Sequence, residues 1–460
     1  MRVLRVAGAV VAGFLLLQVV FFALLVVGAA VPDRAVATSL AKDVANGDYG
    51  PNLLSDRMGG GADSFTECVV AGTGLGAPEL GVLDRAALMP RLADCRGGDK
   101  QIKALAHGAP VTGIGYYFRY WAGYTALTKP LIAAFGLTGL RLLVGAGLVA
   151  ALGIVVWAVR RTVSTGAAVA LVAPLVVSSN LMSTPSSSFS QAMAISTYLA
   201  CAGATALAGA RSLRWGFAAV GVSAALFCYV DLLTTPAAGW MLSAAVLAGV
   251  TWVRTSDLRA TLVAVVLAGI IWPLTFAATW FTRWLIAVPA AGADVVRQDV
   301  VDKVLFRSSG AAEDVRKGLG VPTSANVHYW LHHMATAKVT AVAVAVVVAV
   351  AVVLIVRHGR RHGVGILHPL VAAVLIGCPA AVAVVWYEAL SNHSQIHAFF
   401  TYRNVPVALG VIAFAALAAL AGARAAVAAG VASQETSGVA SQETRDPGHG
   451  EAQPVGSSAG

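Results

Sequence analysis

Four short stretches of this chain gather residue types suited to acid–base and phosphate chemistry. Asp63 and Glu67 sit four apart in Asp-Ser-Phe-Thr-Glu, and Asp231 falls in Val-Asp-Leu-Leu-Thr-Thr-Pro. Asp33 follows the first apolar run. A carboxylate at a polar–apolar boundary loses hydration, which raises its pKa toward neutrality and suits it to accept a proton. Residues 115–130 read GYYFRYWAGYTALTKP and supply Arg119, Tyr120, Trp121, Tyr124 and Lys129. Residues 391–403 read SNHSQIHAFFTYR and supply Asn392, His393, His397, Tyr402 and Arg403. Guanidinium groups bind phosphate oxygens in a bidentate fork, and hydroxyl, amide and imidazole groups hydrogen-bond phosphate or sugar.

Each stretch also has a plainer reading. Asp231 with Thr234 and Thr235 can cap the helix that starts at Pro236. The aromatic and cationic residues of 115–130 suit an interfacial helix, with rings at headgroup level and Arg119 and Lys129 near phosphates. His393 and His397 share one face if helical, but a metal would need a third ligand from elsewhere, so hydrogen bonding to phosphate or sugar is favoured. His328, His332 and His333 suit a second interfacial helix, and the hydroxyls of 183–191 can cap a helix or bind a ligand. Walker A, Gly-x-Ser-x-Gly and His-Glu-x-x-His patterns are absent from the sequence.

These stretches must be positioned by membrane helices. Of 460 residues, 58% are hydrophobic and 12% charged, against about 25% charged in soluble domains. Mean hydropathy is +0.76. The composition excludes an ordinary soluble enzyme and a disordered chain. The net charge of +10 comes mainly from Arg and Lys at the ends of apolar runs, with no basic stripe interleaved with aromatics, so no nucleic-acid partner is expected.

The expected fold is an all-α integral membrane protein with about ten transmembrane helices and a large first extracytoplasmic loop. Residues 1–30 form an uncleaved first span, too long for a signal-peptide core. Residues 31–138 form the first loop, 139–281 spans two to seven, 282–335 a second large loop, and 336–424 spans eight to ten. Runs 166–180 and 190–210 are short or rich in small residues, so a tilted or re-entrant course is open for both. Arg2 and Arg5, Arg160 and Arg161, Arg211 and Arg214, Arg254 and Arg259, and Arg357 with Arg360 and Arg361 then share one side. The positive-inside rule makes that side cytoplasmic, with both termini on it. Residues 425–460, with a duplicated Gly-Val-Ala-Ser-Gln-Glu-Thr, read as a disordered tail. An oxidising outer compartment favours a Cys68–Cys95 disulfide in the first loop, whose ten acidic and ten basic residues balance.

Five stretches taken in order carry a resemblance: 63–67, Arg-Tyr-Trp-Ala-Gly-Tyr at 119–124, Pro-Ser-Ser-Ser-Phe-Ser at 185–190, 230–236, and 392–403. Together they resemble a family of bacterial polytopic membrane proteins similar to GT-C-type glycosyltransferases in helix number and large first outer loop. Ala122 stands where that pattern commonly has His, and Glu67 where it commonly has Asp. The resemblance implies a multi-pass protein of the bacterial plasma membrane that moves a sugar from a polyprenyl-phosphate donor to an envelope glycan or lipid acceptor among membrane lipids. It implies Asp63 as base, with Asp231 and Asp33 as alternatives. Arg119 or Arg403 would hold the phosphate, with Tyr120, Trp121, Tyr124, Lys129, Asn392, His393, His397 and Tyr402 positioning substrate. A divalent metal with Asp63 and Glu67 among its ligands is compatible with it, not required.

Two rival readings stand beside this one. A transporter or flippase of a lipid-linked precursor needs ionisable residues near the midplane on broken helices, whereas the charges here cluster at the outer boundary. A non-catalytic factor of envelope assembly needs no base at all.

Overall fold

The computed structural model describes residues 2–50, 63–310, 315–363 and 365–443. The chain is predominantly helical, as an apolar chain in lipid must be, because a helix satisfies its backbone hydrogen bonds internally. Among the described residues nine helices are long and apolar enough to cross a membrane. A bent pair, Thr165–Val177 and Leu181–Ser187 at 68°, makes a tenth if counted as one span. The short run at 166–180 thus bends. The run at 190–210 instead lies in one uninterrupted helix, Phe189–Arg211.

The sequence marks several helix ends. Ser212 caps Leu213–Val230 by accepting from Trp215 N, and Pro236 opens Pro236–Thr255 at a position where a missing N–H costs nothing. Pro236–Thr255 is the central helix, buried against Phe189–Arg211, Leu213–Val230, Leu258–Ala291 and the helix from Asn404. A second apolar core joins the first helix to the first loop through Phe21, Leu25, Leu40, Trp121 and Tyr229.

Two expectations are corrected, and the helix expected around His328, His332 and His333 is present. Residues 117–124 are not an interfacial helix: a two-residue strand, Gly115–Tyr116, pairs with Pro90–Arg91, and the chain turns before the Thr125–Thr162 helix. The reason is burial. Trp121 donates to Thr279 O (2.7 Å), while Trp280, Trp284 and Arg283 of Leu258–Ala291 donate to the carbonyls of Arg119 and Tyr120. Gly123 is obligatory in that turn, since a Cβ there would stand 2.2 Å from the Tyr229 ring. The second large loop is itself helical, with helices Ala293–Ser309 and Val321–His333. The tail expected to be disordered from 425 continues as helix to Glu443, in keeping with its alanine content; residues 444–460 lie outside the described residues.

Thr125–Thr162 breaks at Gly136 (φ 67°, ψ −174°), a conformation that favours glycine. Asp43 Oδ2 accepts the Leu137 N–H freed by the break (3.1 Å). The helix as a whole packs against both Asp33–Asn46 and Phe189–Arg211.

Candidate functional site

The first loop folds around a buried ion group. Asp33 accepts from Arg85 (3.2 Å), Lys129 (3.2 Å) and Gly76 N (3.0 Å). Lys129 also donates to Gly74 O (2.8 Å), and Arg85 to Ala29 O. Both carboxylate oxygens are occupied, and Asp33, Arg85 and Lys129 are all buried. Lys129 is thus engaged inside the protein, as is Tyr124, whose hydroxyl meets Thr73 Oγ1 at 3.4 Å. The Cys68–Cys95 disulfide closes this same region.

A second network gathers three of the stretches. Asp63 caps the Ser64–Gly72 helix by accepting from Thr66 N (3.0 Å), and its Oδ2 accepts from Gln191 Nε2 (2.6 Å). Gln191 Oε1 accepts from Arg403 Nη1 (2.6 Å), and Arg403 Nε and Nη2 both donate to Asn180 Oδ1 (2.8 and 2.6 Å). The Tyr402 hydroxyl donates to the same Asn180 oxygen (2.8 Å). Burial raises the Asp63 pKa, opposed by the Thr66 hydrogen bonds and by Arg403. Glu67, one turn on, pairs with Arg141 and accepts from Phe189 N (3.4 Å); burial raises its pKa too, against the pull of Arg141. Asp63 and Glu67 thus face different partners, and among the described residues no three His, Cys, Asp or Glu side chains converge as a metal set.

A third cluster forms where 230–236 meets 391–403. Asp231 accepts from Thr234 N (2.8 Å) and from the Thr234 hydroxyl, closing the turn before Pro236–Thr255; it does not cap that helix, whose N-cap is Thr235 without a side-chain hydrogen bond. Its buried carboxyl is nevertheless pushed up to about 7, because desolvation outweighs those hydrogen bonds. His393 joins this loop to the helix Ala293–Ser309. Arg307 can only donate, so His393 Nδ1 accepts from it (2.6 Å), and Nε2 carries the proton donated to Leu233 O (2.8 Å). Burial and the adjacent Arg307 hold His393 well below the ordinary histidine range and push His397 down to about 4. The helix breaks at His397, yet the two imidazole rings remain 4.7 Å apart. Asn392 donates to Gly310 O (2.8 Å).

Arg307 also leads to a cationic group. Its guanidinium lies 5.7 Å from the Tyr120 ring centre. Arg119 lies 4.7 Å from the Tyr117 ring and 5.9 Å from Tyr120, and Arg91 lies 5.5 Å from Tyr117. The two tyrosine rings are 5.2 Å apart, so arginines from three separate segments crowd one aromatic pair. The Tyr117 phenol is pushed up to about 12, chiefly by burial. A single carboxylate, Asp299, pairs with Arg119 at 3.3 Å. All three arginines are half-buried.

No protein family, curated protein or solved structure matches the chain. The chemistry must be read from these residues. Among the described residues the buried Tyr198 hydroxyl has no hydrogen-bond partner. Of the residues singled out in the sequence, Asp63, Tyr402 and Arg403 fall in one network; Asp231, His393 and His397 in the next; and Arg119 and Tyr120 in the cationic group. Asp33, Trp121, Tyr124 and Lys129 are buried scaffold. Sequence reasoning passed over Arg91, Arg307, Asn180 and Gln191. Gln191 and Asn180 flank the hydroxyl-rich stretch that drew notice, but nothing in the sequence distinguishes Arg91 or Arg307 from other loop arginines.

Proposed function

We propose that this chain is a membrane glycosyltransferase that moves a sugar from a polyprenyl-phosphate donor to a cell-envelope acceptor at the outer face of the membrane. The observation that carries this reading is the group of Arg91, Arg119 and Arg307 over Tyr117 and Tyr120, with Asp299 the one carboxylate paired to them among the described residues. Three guanidinium groups against one carboxylate leave positive charge for a phosphate, which arginine binds bidentately. An aromatic row also supports an isoprenoid tail. Trp272, Phe276, Trp280 and Trp284 follow one face of Leu258–Ala291 at 5.2, 6.0 and 5.4 Å between successive ring centres, and Trp280 and Trp284 end on Arg119 O.

The acceptor hydroxyl gives its proton to a carboxylate, its oxygen bonds the anomeric carbon, and the bond from that carbon to the phosphate oxygen breaks. The electron pair leaves on the phosphate, where the arginines stabilise it. Asp231 is the carboxylate joined to the arginines, through Leu233 O, His393 and Arg307, and its pKa of about 7 suits a base at neutral pH. Asp63, tied to Arg403 through Gln191, is the second carboxylate.

The test is transfer by purified protein in nanodiscs, from radiolabelled polyprenyl-phosphate sugars to envelope glycans. Asp231→Asn is expected to lower the rate about 10²- to 10⁴-fold and to abolish a rise in rate with pH centred near 7. Loss of transfer in Asp63→Asn alone would move the base to Asp63. Donor binding without transfer to any acceptor would overturn the enzyme reading in favour of movement of a lipid-linked precursor. That second reading draws on the 68° break between Thr165–Val177 and Leu181–Ser187, where Asn180 holds Arg403 and Tyr402.

A further inference from the structure

Away from the arginines, a polar cleft of ≈ 420 Å³ opens between Asp33–Asn46 and the break at Gly136. Ser39, Lys42, Asp43, Asn46, Asp48 and Phe135 line it. They bring a hydroxyl, an ammonium, an amide and two carboxylates, with Phe135 exposed (63%) at the rim. The break shapes the floor: Gly136 has no side chain there, and a Cβ would stand 3.1 Å from Asp43 Oδ1.

The charges define the ligand. Asp48 faces Arg141 at 4.0 Å, and Asp43 Oδ2 is occupied by Leu137 N–H, so a cation finds no uncompensated pair of carboxylates. Lys42 is the cation lining the cleft, and two carboxylates beside it disfavour an anion. Donors and acceptors set closely around a near-neutral hollow, with a ring on its edge, match a neutral polyol. Arg141 ties the cleft to the candidate site. It donates to Asp48 O (2.8 Å) on one side and pairs with Glu67 on the other, in the helix that Asp63 caps.

We propose that this cleft binds a neutral carbohydrate chain; on the transferase reading above, that chain is the acceptor. Lys42 and Asn46 are exposed, so they reach sugar hydroxyls and can be truncated without opening the core.

The experiment presents the full chain in nanodiscs, without donor, to an array of neutral and acidic oligosaccharides. Binding to neutral oligosaccharides is expected. It should weaken about tenfold in Lys42→Ala and in Asn46→Ala, the size of one or two lost hydrogen bonds, while the unfolding temperature stays unchanged. Phe135→Ala should weaken it too. Binding confined to acidic glycans, binding indifferent to all three substitutions, or no binding above empty nanodiscs overturns the proposal. Because no donor is present, the result is separate from transfer. Cleft-dependent binding in a protein that transfers no sugar keeps the cleft and removes the transferase reading. Transfer that proceeds without cleft-dependent binding does the reverse.

Discussion

Asp33 and the arginine group around Tyr117 both place carboxylates beside cations, but they close their accounts differently. At Asp33 two cations and a backbone N–H converge on one carboxylate, and the cations spend remaining donors on Gly74 O and Ala29 O. The three side chains there are buried, and both oxygens of the carboxylate are engaged. Around Tyr117 and Tyr120 three arginines face one carboxylate, with tyrosine faces and a histidine nitrogen as their other neighbours. Neutral π faces and a neutral imidazole lower the energy of a cation without cancelling its charge. The first arrangement is a staple. The second retains a field that a phosphate can enter. What separates them is stoichiometry and exposure, not residue type.

That contrast can be broken by measurement. Asp33→Ala strands two buried cations and is expected to cost about 3–5 kcal/mol, read as loss of folded protein or a sharply lower unfolding temperature. Arg307→Ala and Arg91→Ala should each leave the unfolding free energy within about 1 kcal/mol, because each arginine is half-buried and neither has a carboxylate partner among the described residues. Each should weaken polyprenyl-phosphate binding about tenfold or more, the worth of one charge-assisted hydrogen bond. If these substitutions instead unfold the protein as Asp33→Ala does, the arginine group is a second staple. The most gradual effect is in pH. His393 and His397 have pKa values below 6.5, His397 at about 4, so the folded state resists protons that the unfolded chain accepts. Their contribution to stability is complete above pH 6.5 and is lost as pH falls from there toward 4, by at most about 1.4 kcal/mol per pH unit for each histidine. Unfolding temperature measured across that range should fall, and fall less in Arg307→Ala, where one source of the depression is gone.

The spans were legible because hydropathy over ~20 residues reports directly on the bilayer. Helix ends at Ser212 and Pro236 were marked by side chains that act within one turn. The Asp33 partners were not legible: Arg34 is adjacent in sequence, whereas Arg85 and Lys129 lie 52 and 96 residues away. Residues 115–130 misled for a different reason. Tyr, Trp and Arg compose a headgroup belt and a buried joint equally well, and only the Leu258–Ala291 helix, which takes the carbonyls of Arg119 and Tyr120, decides between them. The break at Gly136 was hidden among many glycines, and its consequence, an N–H that needs Asp43, appears only in three dimensions. At the candidate site Asp63, Asp231, Arg119, His393 and Arg403 were picked out in isolation; the grouping that gives them chemistry runs through Gln191, Asn180 and Arg307.

The reach of that grouping along the chain has a consequence for biosynthesis. Arg91 and Arg119 leave the ribosome long before Arg307, and Arg307 long before the His393 that fixes it. A nascent chain halted after its sixth or seventh span therefore already owns its stapled first loop, because Asp33, Arg85 and Lys129 all precede that point. It lacks the clasp that draws the third arginine in. On the proposed function, the ion group at Asp33 is complete early and the phosphate-binding group late, so an incompletely inserted molecule carries the first without the second.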